Sequence, residues 1–164
     1  MGVKFEFKNV DKDLATIRGF DKLLGEQLEK TLFDTAAIIA SAARRGIPNR
    51  ALRNWNNWPA HASQGFVGSE VRNNITSGRY LRRRRGRKIG YGLAVMSQDA
   101  AGVIFQTAGK GQSNDMFVDN LERKYPLPRG IWAASDGPLG QRARKAMIEA
   151  VKKVENTINS KLGG

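Results

Sequence analysis

The sequence predicts an α+β chain: a small antiparallel sheet packed by two long helices, with long extended loops between them. Three observations carry this. Apolar residues alternate with polar ones at the N-terminus and again within residues 71–97, a period of two. Two long segments, 21–45 and 137–162, instead repeat their apolar residues at spacings of three and four. A chain of 164 residues has the length of one domain, enough to bury about 70% of its unfolded surface, so 1–164 is read as a single domain.

In order, residues 1–10 are expected to hold a strand, because Val3, Phe5 and Phe7 alternate with Lys4, Glu6 and Lys8. Residues 21–45 form a long helix, with Leu24, Leu28, Leu32, Ala36, Ile39, Ala40 and Ala43 on one face. Asp21 is its N-cap, and Gly46 with Pro48 stops it. Its second half, "AAIIASAA", is rich in small residues and permits close approach by another element. Residues 47–68 read as one long loop, with no sustained period and two tryptophans, and loops of that length are often functional. The region 71–97 gives two strands, "ITSGRYLRRRR" and "KIGYGLAVMSQ", turning at "GRK", with Ile89, Tyr91, Leu93 and Val95 on one face. Residues 99–115 begin as a short helix or bent strand and end in a flexible stretch, followed by the short amphipathic piece "MFVDNLERKYPLP". The segment 137–162 is a helix capped by Asp136, with a stripe of Leu139, Ala143, Met147, Ala150, Val151, Val154, Ile158 and Leu162. No internal repeat is visible.

The formal charge of +13 is extreme for this length. A field of that sign favours polyanionic partners such as nucleic acid, an anionic membrane or an acidic protein face. The absence of cysteine excludes disulfides and thiolate zinc sites. No run of about 18 apolar residues exists, and the N-terminus lacks the apolar region of a signal peptide. The expectation is a soluble chain made and used inside a cell, with no membrane partner.

Searched for chemistry, the sequence yields none. His61 is the only histidine, which rules out a cluster of histidine ligands or a two-histidine relay. The phosphate-loop, zinc-protease and nucleophile-elbow motifs are absent. "TAGKGQSND" has the glycine and lysine of a phosphate cradle but not its spacing. The 15 acids are scattered, although two carboxylates meeting in space would still allow a nuclease or glycosidase. The expectation is a non-enzyme without cofactor or metal.

What remains is a basic surface and an aromatic loop. Arg79, Arg82, Arg83, Arg84, Arg85, Arg87 and Lys88 place seven cations in ten positions with no acid among them. Strand-forming residues bracket the run, unlike a targeting tag in a disordered tail. Successive arginines on a strand alternate faces, which suits a surface meeting phosphates or acids without a sequence code. The plain alternative is a solvated edge strand protected by charge. In the loop, Trp55 and Trp58 flanked by Arg50, Leu52 and Arg53 either stack on bases or anchor the loop on its own domain or on a neighbouring subunit.

The order of these features resembles the neck and tail-completion proteins of long-tailed bacteriophages. The first helix ends in "AARRGIP" and runs into Asn49-Arg50-Ala51-Leu52-Arg53, where that family commonly shows T-G-x-L-R; the Thr-Gly pair is absent here. "DAAGVIFQTAGKG" stands where the family often has Y-A-x-x-x-E-x-G-T, with Gln106 for the acid and Ala108–Gly109 at the end. "RGIWAASDGPLGQRARKAMIEAVKKVENTINSKL" is similar to the family's closing block, so the resemblance covers most of the chain from about residue 25. It implies a structural virion protein of the head–tail connector, assembled in the host bacterial cytoplasm as a ring, six subunits favoured. Its neighbours would be connector or stopper and tail-tube proteins, with non-specific contact to genomic DNA. Two other classes stay open: a free, non-sequence-specific nucleic-acid-binding protein and, behind it, a metal-dependent nuclease.

Overall fold

The computed structural model describes residues 3–7, 10–52, 66–108 and 116–162. Along them run β1 (Val3–Phe7), α1 (Val10–Phe20), α2 (Lys22–Arg45), α3 (Gly68–Asn73), β2 (Ile75–Arg84), β3 (Arg87–Ser97), α4 (Ala100–Thr107), α5 (Met116–Lys124), α6 (Gly130–Asp136) and α7 (Pro138–Leu162). The strands form one antiparallel sheet in the order β1-β3-β2, and the helices pack on it. The fold is α+β, as the sequence predicts.

Helix α2 is the centre of the packing, touching α1, α6, α7 and the β2–β3 pair. Its apolar stripe explains why: Leu24, Leu28, Leu32, Ala36, Ile39, Ala40 and Ala43 are all buried. Asp21 caps it as expected, its carboxylate accepting from the Leu24 amide at 3.1 Å. At the other end the Gly46 amide donates to the carbonyls of Ala42 and Ala43, at 3.2 and 3.1 Å.

The Asp21 carboxylate also accepts from Lys161 Nζ at 2.6 Å, joining the last turn of α7 to the first turn of α2. The Lys161 bond and then the Leu24 amide hold the carboxyl below its ordinary value of 3.8. A depressed carboxylate pKa stabilises the fold above the unfolded value, and that contribution is lost as the pH falls through the folded one. Asp21→Ala should therefore melt below the parent protein at neutral pH, with the gap narrowing as acid is added below pH 3.8. A gap that stays constant through that titration would contradict the pairing.

Within the sheet, β2 and β3 pair from Ile75↔Ser97 to Arg84↔Arg87, while β1 reaches β3 only from Leu93 to Ser97. Ile75, Leu93, Val95 and Ser97 share the fully buried face. The register sets Val3, Phe5 and Phe7 opposite Ser97, Val95 and Leu93. Arg44, in the last turn of α2, donates to the Ile75 carbonyl from Nε and Nη2, at 2.9 and 2.6 Å. The end of the long helix is thereby fixed to the start of β2.

Several boundaries differ from the sequence reading. Residues 71–73 belong to α3, and β2 starts at Ile75. The loop read as 47–68 begins with a tethered piece: Ile47 and Ala51 are buried, Arg72 donates to the Ile47 carbonyl at 2.9 Å, and the Gly68 amide donates to the Asn49 carbonyl at 3.1 Å. A side chain at position 68 would collide with the Pro48 carbonyl, so glycine there permits a backbone-to-backbone approach. Asp136 ends α6 rather than capping α7, and it pairs with Arg144 at 3.3 Å. On α7, Ala143 and Val154 are buried and Met147, Ala150 and Ile158 pack partly against the core. Leu139 and Val151, expected inside, are 43% and 39% exposed.

A buried polar lock joins α4, α5 and α6. Gln106 donates to the Gly102 carbonyl at 3.1 Å and accepts from the Ile131 amide at 2.9 Å. Gly130, at φ 55°, lies where a side chain would strike Gln106. Arg129, 3% exposed, donates to the carbonyls of Phe105 at 2.8 Å and Ala108 at 3.2 Å, and to that of Tyr125. It thus serves the carbonyl ends of two helices, groups that otherwise go unpaired. Burial pushes its pKa down from the ordinary arginine value, against the opposite pull of Glu122. Arg129→Met should leave those carbonyls without donors and cost about 3 kcal/mol, or a melting temperature lower by about 10 °C. A loss under about 0.5 kcal/mol would mean the lock is not structural.

Candidate functional site

The basic run lies on the outer part of the β2–β3 hairpin. Beyond the Arg79↔Leu93 level β1 no longer pairs, and the sheet continues as a two-stranded ribbon among the described strands. Five further levels at about 3.4 Å each make this ribbon about 17 Å long. It closes at Arg85 and Gly86, with φ of 48° and 79°. Two successive positive φ angles make a two-residue turn of type I′, whose twist matches that of the strands it joins. The turn falls one residue earlier than the expected "GRK", and a register irregularity follows between Arg82 and Arg83.

The seven expected cations divide into two groups. Arg79 pairs in register with buried Leu93, on the face that meets α2. Its guanidinium bonds Glu29 and lies 5.8 Å from the centre of the Phe33 ring. Glu29 also bonds Arg18 of α1, so one half-buried carboxylate ties the base of the ribbon to two helices. Arg79 is a fastening of the hairpin to the body. The other six cations, Arg82, Arg83, Arg84, Arg85, Arg87 and Lys88, occupy the tip. Arg83, Arg85 and Arg87 are exposed, whereas the side chains of Arg82, Arg84 and Lys88 lie outside those described. From Val71 to Gln98 the chain has no acid, so the tip has no carboxylate on its own strands.

The aromatic loop is described only at its start. Arg50 is exposed, and its carbonyl accepts from the Tyr125 hydroxyl at 3.3 Å. Leu52 packs partly against the core, and the Ala51 carbonyl accepts from Lys124 at 2.9 Å. Arg53, Trp55, Trp58 and His61 lie outside the described residues, as does most of "TAGKGQSND".

The sequence reading did not anticipate an open apolar groove of about 650 Å³ between α1, α2 and α7. Leu14, Ile17, Leu28, Met147, Val151 and Ile158 are among its walls, with Asp13, Lys152 and Glu155 also lining it. Ile148 and Val151, 52% and 39% exposed, stand at its α7 side. A signal existed: the α7 stripe is wider than one partner helix can cover.

Among the described residues no group of three or more His, Cys, Asp or Glu side chains could hold a metal ion. No described helix is long and apolar enough to cross a membrane. Comparison with protein-family models, curated proteins and solved structures finds no match.

Proposed function

We propose that the chain is a structural virion protein of the bacteriophage neck. In this reading it forms a homo-oligomeric ring, six subunits favoured, that joins or completes the tail at the capsid connector around the DNA channel. The observation that carries the reading is the hairpin: a cationic ribbon fastened at its base by Glu29 and exposed at its tip. A channel lined by several such tips would present a dense positive field to the genome. The motif resemblance around residues 42–53, 99–111 and 129–162 supplies the family context. The groove beside α7 supplies an apolar face for a neighbouring subunit, and exposed apolar patches of that kind mark contacts. The other partners are the adjoining connector or stopper and tail-tube proteins, and the location is the virion. The role requires no catalysis.

The test is to interrupt the gene in the phage that carries it and to analyse purified particles by mass spectrometry. The reading predicts peptides of this chain in joined particles, and unjoined heads and tails in its absence. Normal particles from the interrupted gene would exclude it. The same hairpin also favours a free, non-sequence-specific nucleic-acid-binding protein. That reading predicts a monomer that binds random duplex and never enters particles.

A further inference from the structure

We propose that the outer ribbon enters the major groove of duplex DNA, with phosphates of both strands flanking its two faces. The inference deepens the neck reading, from which it takes only the duplex that the tip meets.

Arg84 is set opposite Arg87, and Arg83 opposite Lys88, at successive levels of the ribbon. Successive levels of a strand fall on opposite faces, and Arg85 stands in the turn between them. Positive residues therefore occupy both faces and the tip. A flat acidic protein surface or a membrane would meet one face and leave the other facing water. A groove bounded by two rows of phosphates meets both. The major groove of B-form DNA, about 12 Å wide, admits a two-stranded ribbon. Arginine is suited to the walls because its planar fork bonds phosphate oxygens in pairs. The hairpin 75–97 contains no Asn, Gln, Asp or Glu, the side chains that read adenine and cytosine edges. Contacts to phosphate position a protein without selecting sequence.

The test uses the full chain and a labelled random duplex of roughly twenty base pairs. Six tip cations at about −0.9 each predict a slope of log affinity against log salt near −5. That corresponds to about a thousandfold loss of affinity between roughly 50 and 200 mM salt. Replacing Arg82, Arg83, Arg84 and Arg85 together with glutamine should reduce the slope by about 3.6; replacing them with lysine should preserve it. Replacing Arg142, Lys145, Lys152 and Lys153 of α7 with glutamine should leave it unchanged. Double-stranded RNA, whose major groove is deep and narrow, and polyglutamate should each bind at least about tenfold more weakly than DNA at equal salt. Equal affinity for either polyanion overturns the groove placement, and a slope lost only in the α7 variant moves the contact to that helix. If the glutamine variant does not fold, the lysine and α7 variants and the RNA comparison still decide. Subunit number is scored separately: a ring without the slope defeats this inference alone, and a monomer with it defeats the neck reading alone.

Discussion

Val154→Asp is expected to abolish soluble folding, whereas Val151→Asp, three residues earlier on the same helix, folds and melts close to the parent protein. Val154 is 5% exposed and belongs to the core. A carboxylate there loses its water, a cost of several kcal/mol. That is a large share of the roughly 5–15 kcal/mol that holds a domain folded. Val151 is 39% exposed at the groove, so an aspartate keeps its hydration, and the change should stay within about 1 kcal/mol. If the groove seats a neighbouring subunit, Val151→Asp instead blocks assembly of a folded chain. Soluble yield, thermal melting and native mass of the two variants separate these effects. A folded Val154→Asp protein would show that the buried face of α7 is wrongly placed.

The second large effect belongs to the arginines and is collective. Changing Arg82, Arg83, Arg84 and Arg85 to glutamine should leave the monomer folded, since one exposed arginine contributes under about 1 kcal/mol. In a ring the charge adds over every subunit around one channel, so the same variant should sharply lower the yield of joined, infectious particles. Raised salt during assembly in vitro should mimic it, because screening acts on the same long-range field. Arg79 provides the contrast. Its bonds to Glu29 and its position over Phe33 make Arg79→Gln a change in how the hairpin is held rather than in what the tip meets. Full infectivity of the quadruple variant would reduce the tip to a charged, solvated strand edge.

That division within one arginine run shows what the sequence could and could not reveal. Helix α2 was legible because its cap, its stripe and its stop all lie within its own length and agree. The hairpin was legible from alternation, although its turn shifted by one residue to Arg85 and Gly86. Helix α1 was missed because, among its described side chains, Val10 and Leu14 are buried and Ile17 packs partly against the core, a stripe too short to set a period. Helices α3 and α6 depend on distant partners: the Asn49 backbone approaches Gly68, and Gln106 receives the Ile131 amide. No local pattern signals either. The pairing of Arg79 with Glu29 spans fifty residues, so composition grouped Arg79 with the tip and only the register separated it. Along α7, periodicity gives the width of an apolar face and not the width of the partner covering it. Leu139 and Val151 are the excess, and Val151 is part of the groove.

The native mass of the purified 164-residue chain at assembly concentrations, with negative-stain images of the same sample, tests the central claim most directly. The account predicts a closed ring with a central opening and a mass about six times the 18.1 kDa chain, reduced to monomer by Val151→Asp. A parent protein that stays at 18.1 kDa under those conditions, and is absent from purified particles, would contradict it.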